Sequence, residues 1–338
     1  MAVRPFLYLG DTVCKCVFTT VQLRPKLHTA QLYKQIRNHG KFRSRAKVPE
    51  TPVPSSYIEK GPVRFSRMWR PFAFTIVFSG TTLIGAAIWE YERIRERTYR
   101  LINHYKHWGI RRTGWRQEVG SWWRNLTEGE KIFVPICFLN VVVFLSWRIP
   151  AFHKVMAGYF CANPASRAVC WPMLLSTFSH YSFLHLAANM YVLHSFSSLA
   201  VAALGKEQFV ALYLTSGVVS SFASHIYKTA FGFQSPSLGA SGAVMGILGF
   251  VCTQFPDTYL TIIFLPIYKF TAGMAIKAIM GMDALGCLLR WQFFDHAAHL
   301  GGVLFGMFWQ AWGNANIWKK REPVLALWHE IRGPPKSG

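Results

Sequence analysis

One serine in this sequence is set up for reaction: Ser241 in Gly239-Ala240-Ser241-Gly242, near the start of a run without a charge from Ser235 through Phe255. A hydroxyl becomes a nucleophile only when a base lies close enough to take its proton. The candidate base is His299, which follows Asp295-His296-Ala297-Ala298 and opens another apolar run. His296 is the competing base, but only His299 is followed by glycines three and seven residues later, at Gly302 and Gly306. If Ser241 attacks a peptide carbonyl, the developing oxyanion needs preorganised donors. The Ser241 backbone N–H at a helix start is one. His185 and Asn189 lie four residues apart, on one face of a helix, and offer two more. Asp295 stands four residues before His299, where it would either orient the imidazole as in a triad or, as is commoner for aspartate at a helix start, cap the helix.

These side chains need helices that touch. Gly242, Gly246 and Gly249 form a small-residue stripe after Ser241, and Gly302 and Gly306 form one after His299. Such stripes let membrane helices meet backbone to backbone, which a serine-to-histidine hydrogen bond of about 3 Å requires. On this reading Gly239, Gly242, Gly246, Gly302 and Gly306 support helix packing.

The rest of the chain fits an all-α polytopic membrane protein. Its 338 residues are 51% hydrophobic and 16% aromatic, with a formal net charge of +22, and several apolar runs approach the roughly 20 residues that span a bilayer. Seven spans are expected: 71–89, 132–147, about 181–204, 208–227, the serine helix, about 270–289, and 296–312. Spans three, five and seven cross in one direction, and His185, Asn189, Ser241 and His299 all sit near their starts, so the four share one depth. Intramembrane polar groups are costly and are functional candidates by default. Lys277 and Asp283, inside the sixth run, are not explained by a serine–histidine pair; a structural role, pairing with each other or with the interface, is expected for them.

Residues 1–70 hold fourteen Lys or Arg against three acids and read as a mitochondrial transit region. A nucleic-acid-binding or plain disordered basic tail is the other reading. Residues 90–131 form a polar connector with helical, interfacial parts, residues 132–313 a core, and residues 314–338 a polar tail. The 149–172 stretch reads as an interfacial loop, and 259–267, with Pro266, as an extended or re-entrant lead. The seven cysteines show neither a disulfide framework nor metal-type pairing.

Taken together, Gly239-Ala240-Ser241-Gly242, His185-x-x-x-Asn189, Ala298-His299-x-x-Gly302 with Gly306, and Trp147-Arg148 before an interfacial loop resemble the rhomboid intramembrane serine proteases. Longer stretches, such as 173–180 and 293–302, are similar to the mitochondrial members. The resemblance covers roughly 71–332. It implies a Ser241/His299 dyad, an oxyanion site using His185 and Asn189, and a rhomboid-like six-helix core preceded by one extra N-terminal transmembrane helix (1+6). It further implies an inner-membrane location, no cofactor or metal, and single-span transmembrane protein substrates. With the N-terminus in the matrix, seven spans put the C-terminus in the intermembrane space. The partners expected are these substrates and the lipid bilayer, with no nucleic acid.

Two other functions deserve comparison. A catalytically silent rhomboid-like chaperone should lack the serine or the histidine, and both are present. A metal or proton transporter would use His180, His185, His194, His225, His296 and His299; but the carboxylate close to any of them in sequence is Asp295, and His194 points away from His185 on its helix.

Overall fold

The computed structural model describes residue 61 and residues 64–102, 114–262 and 265–333. The transit reading of 1–70 therefore lies outside the described residues except at its end. Helix α1 (Trp69–Ile102) contains the first apolar run but does not stop with it. At 1.5 Å per residue its 34 residues are about 51 Å long, well beyond the roughly 30 Å hydrocarbon core, and the charged second half is held by other elements. Arg93 makes a two-pronged ion pair with Glu207, 2.5 and 3.2 Å, and the Glu207 side chain is buried.

The connector then forms α2 (Trp115–Asn125), whose Trp115, Val119 and Trp122 are exposed. Helix α3 (Glu128–Ser146) begins at a capping box in which Thr127 and Glu130 satisfy each other's backbone N–H groups. It ends at Trp147, whose indole N–H donates to Ser179 at 2.9 Å. The 149–172 stretch is not plain loop: it contains α4 (His153–Tyr159) and the start of α5 (Cys170–Leu175). Helices α6 (Phe183–Leu204) and α7 (Lys206–Phe231) follow, joined at Gly205.

Helix α8 (Ser241–Gln254) starts at the serine. The stretch 259–267, expected to be extended or re-entrant, belongs to two antiparallel strands that reach further, β1 (Tyr259–Ile262) paired with β2 (Leu265–Thr271), a small exception to the all-helical pattern. Thr271 caps α9 (Ala272–Leu288). Helix α10 (His296–Phe308) continues through a wider π-type turn segment, Trp309–Trp318. The tail expected to be merely polar contains α11 (Glu322–Arg332), which packs on α1: Trp328 donates to Glu92 at 2.9 Å and Arg332 pairs with it at 2.5 Å.

Among the described residues, four helices, the apolar part of α1 with α3, α6 and α7, are long and apolar enough to cross a membrane. They differ in what they touch. The exposed faces of α1 and α3 carry Ile76, Val77, Phe138, Val142 and Leu145, the side chains a lipid-facing surface needs. Helix α7 is instead the centre of the bundle, burying Phe209, Leu212, Tyr213 and Val218 together with Ser216, Ser220 and Ser224. Its small serines let α8 and α10 come close, and that approach builds the site. Helix α8, with 14 residues, is about 21 Å long, so its two ends cannot both reach the surfaces of a bilayer about 30 Å thick.

Candidate active site

The serine is placed by the chain that leads to it. Ser237 exchanges backbone hydrogen bonds with Ala162, 2.9 and 2.8 Å, Gly239 N–H donates to the Ser176 carbonyl at 2.9 Å, and Ala240 N–H donates to His180 Nε2 at 3.2 Å. His180 lies in the turn before α6; burial, with His185 beside it, pushes its pKa down to about 3, so the ring stays neutral and accepts this bond. Gly239 has φ +134°, a conformation L side chains rarely adopt. A Cβ there would also lie 2.7 Å from His185 Cε1, so glycine is required both by the turn and by the ring packed on it. Helix α8 has no side-chain cap, and the N–H groups of a helix's first turn have no intrahelical acceptor. Ser241 and Gly242 are the first two residues of that turn.

The histidine is placed by a second anchor. Asp295 Oδ1 accepts from Ala298 N–H at 3.0 Å, so the aspartate caps α10. Its Oδ2 accepts from Ser224 at 2.5 Å, from Lys228 at 3.0 Å and from Ser237. Burial works against its charge, but the Lys228 ammonium and the two hydroxyls hold its pKa well below the usual carboxylate range. One carboxylate thus ties together the end of α7, the approach to Ser241 and the start of α10.

From these anchors the two helices run in contact. A Cβ on Gly302 would collide with the Gly242 carbonyl, and one on Gly306 with the Gly246 carbonyl. The stripe after the serine works differently from the simple face-to-face expectation: Cβ atoms at Gly242 and Gly246 would strike Ser220 and Ser216 of α7, while Gly249 faces Val303. The glycines therefore admit three helices to one seam. At its mouth His299 Nε2 lies 3.0 Å from Ser241 Oγ.

The other nitrogen of His299 decides between the two roles weighed for Asp295, in favour of the cap, and corrects the pairing expected for Asp283. Asp295 does not reach it. Asp283 does: its Oδ1 lies 3.3 Å from His299 Nδ1 and 2.6 Å from His296 Nδ1. Asp283 therefore does not pair with Lys277, which is exposed on another face of α9. Sequence reasoning missed this role because Asp283 and His299 come from different helices. The available signal was the cost of a carboxylate inside an apolar run, a mark of function by default.

His185, Ser241 and His299 line one cavity of about 270 Å³, together with Trp291, Phe293 and Phe294. Asn189 does not line it; its amide donates to the His185 carbonyl one turn earlier, at 2.8 Å, so it supports the helix that carries His185. Of the six histidines weighed for transport, His185, His296 and His299 line this cavity, and His194 and His225 do not. His194 is exposed beside Glu130, and His225 is buried with both ring nitrogens unpartnered. Among the described residues, Asp283, His296 and His299 are the ones that gather donors in the way a metal ion requires.

Residues 167–314 match the Rhomboid domain family. The chain is 48% identical over 305 residues to "Presenilin-associated rhomboid-like protein, mitochondrial" of Rattus norvegicus, covering 88% of this chain and 80% of that protein. It is 32% identical over 201 residues to "Rhomboid protein 1, mitochondrial" of Saccharomyces cerevisiae, 59% of this chain and 58% of that one. It is also 29% identical over 138 residues to "Rhomboid protease GluP" of Bacillus subtilis, 41% of this chain and 25% of that one. With a seam of glycines holding a serine against a histidine in a helical membrane bundle, and relatives of this identity and extent, this chain belongs to the rhomboid family.

Proposed function

We propose that this protein is an intramembrane serine protease of the mitochondrial inner membrane that cuts single-span membrane proteins in or near the membrane segment. The observation that carries the reading is the 3.0 Å approach of His299 Nε2 to Ser241 Oγ at the mouth of a cavity. A relative named as a protease and relatives named as mitochondrial support it.

In the mechanism, Ser241 Oγ attacks the scissile carbonyl while His299 Nε2 takes its proton. Asp283 accepts from His299 Nδ1–H, which keeps the lone pair on Nε2 and stabilises the imidazolium that forms. The oxyanion is met by the Ser241 N–H and by His185. His299 then gives its proton to the leaving amine. Water entering the cavity attacks the acyl-enzyme, with His299 again as base. A substrate helix has every backbone carbonyl bonded internally, so a turn must unwind before attack. Segments with glycine, serine or other helix-weakening residues near the site are therefore favoured, with a small residue at the cut.

Purified protein incubated with labelled single-span segments should release two fragments, and Ser241→Ala should release none. Cleavage that persists in Ser241→Ala refutes the reading. If all seven spans expected from the sequence cross, a matrix N-terminus goes with a C-terminus in the intermembrane space. A C-terminal tag should then be digested in mitochondria stripped of the outer membrane, and a protected tag refutes this orientation.

A further inference from the structure

Behind His299, on the side away from Ser241, three donors meet. Asp283 Oδ1 is 2.6 Å from His296 Nδ1 and 3.3 Å from His299 Nδ1, and one donor atom of each residue lies within 4.8 Å of the others. Two imidazoles and a carboxylate are a donor set suited to Zn²⁺, with bonds of about 2.0 to 2.2 Å and a fourth position left open. Bonds of that length in a tetrahedron separate the ligand atoms by about 3.3 Å. The Asp283–His299 pair already has this spacing, and the Asp283–His296 pair has to open by a fraction of an ångström. The cluster also holds polar capacity that the protein leaves unused: Asp283 Oδ2 and His296 Nε2 are buried without a hydrogen-bond partner, and both side chains are more than nine-tenths buried. His296 and His299 line the cavity, which supplies a route for an ion.

We propose that Asp283, His296 and His299 form a binding site for a divalent transition metal of the zinc class, and that filling it switches the serine off. The inference rests on the Ser241/His299 reading for its consequence, though not for the site itself. The chemistry is a change of tautomer. His299 can take the Ser241 proton at Nε2 only while its own ring proton is on Nδ1, held by Asp283. A metal ion takes the Nδ1 lone pair, so that proton moves to Nε2. There it points at Ser241 Oγ as a donor, and the base is lost. His296 makes the same exchange, its proton passing from Nδ1 to the unpartnered Nε2. No proton is gained or lost, and one carboxylate charge offsets half the charge of the ion. Without the ion, the same three residues close through hydrogen bonds, so the fold does not depend on it.

The test uses the full-length protein in detergent, stripped of metal. Cobalt(II) reports coordination through its visible bands, which are strong in a tetrahedral site, and a fluorophosphonate probe reports the reactivity of Ser241. The wild type and Ser241→Ala should both give the cobalt bands, and Zn²⁺ should abolish them by displacement. Zn²⁺ should lower probe labelling of the wild type at least tenfold, with recovery on adding EDTA. His296→Gln should lose the bands, and its labelling, compared with its own metal-free rate, should not respond to Zn²⁺. His296→Cys, should His296→Gln fold poorly, should keep a site and add a sulfur-to-cobalt charge-transfer band. Absence of the bands in the wild type, or bands and inhibition that survive in His296→Gln, overturns the site. Bound cobalt or zinc with undiminished labelling overturns the switch. Failure of Ser241 to label even without metal counts against the protease reading, while the cobalt bands still decide the site.

Discussion

Replacing Asp295 by asparagine is the sharpest test of how Ser241 and His299 are positioned. Asparagine caps a helix about as well as aspartate, so the Ala298 bond is kept and only the charge is lost. The Lys228 side chain is 7% exposed and that of Asp295 19%, so the variant leaves a largely buried ammonium without its counter-ion. Removing one partner of a buried pair costs about 3 to 5 kcal/mol, and the partial exposure of Asp295 points to the low end, about 3. Lys228→Met strands the opposite charge but leaves Asp295 its two hydroxyl donors and one N–H, so its cost should be smaller, about 2 kcal/mol on the same scale. The double variant strands neither charge. Its loss should fall short of the sum by at least about 1.5 kcal/mol, well above the roughly 0.5 kcal/mol scatter of independent sites. Unfolding in mixed micelles, followed by helicity, measures all three variants against the wild type. The anchor also sits four residues before each reacting group, Ser237 before Ser241 and Asp295 before His299, so kcat should fall with stability while KM changes little. Additive losses within about 0.5 kcal/mol would refute the coupling. Full kcat in a destabilised Asp295→Asn would refute its positioning role.

The other expectations concern the chemistry and the seam. His299→Ala should fall to background in a cleavage assay, whereas His185→Ala, which removes one proposed oxyanion donor, should lose about 10²- to 10³-fold and remain measurable; equal mild losses would mean that His299 is not the base. Asp283→Asn should lower kcat at least tenfold, about 1.4 kcal/mol in barrier, with KM nearly unchanged. A larger effect on KM would assign Asp283 to substrate binding. Gly302→Val should abolish activity by forcing α10 off the Gly242 carbonyl; a folded variant that cuts at the normal rate would show that the seam does not set the dyad distance.

Much of this architecture is local and therefore legible in the chain. Apolar runs had to become helices because a backbone in hydrocarbon must satisfy its own hydrogen bonds. Ser241 and His299 could be singled out because each stands at the start of such a run with glycines behind it. The same locality misled where neighbours in sequence stood in for neighbours in space. The first span ran on to Ile102 because its charged turns find Glu207, Arg321 and Arg332 on distant elements, and the tail became a helix for the same reason. Asn189 shares a face with His185, yet bonds to that residue's carbonyl rather than lining the cavity.

By itself, the sequence determined the long apolar helices, their order, and which of them begin with the candidate serine and histidine, since these depend on residues within a turn or two of each other. Tertiary structure alone decided which carboxylate meets His299. Asp295 is four residues away in the chain, and its charge is taken by Lys228, Ser224 and Ser237. Asp283 is on another helix and reaches His299 because α9 packs its buried face against the start of α10. A buried charge goes to whichever partner packing brings within hydrogen-bond reach, and spacing along the chain does not encode that.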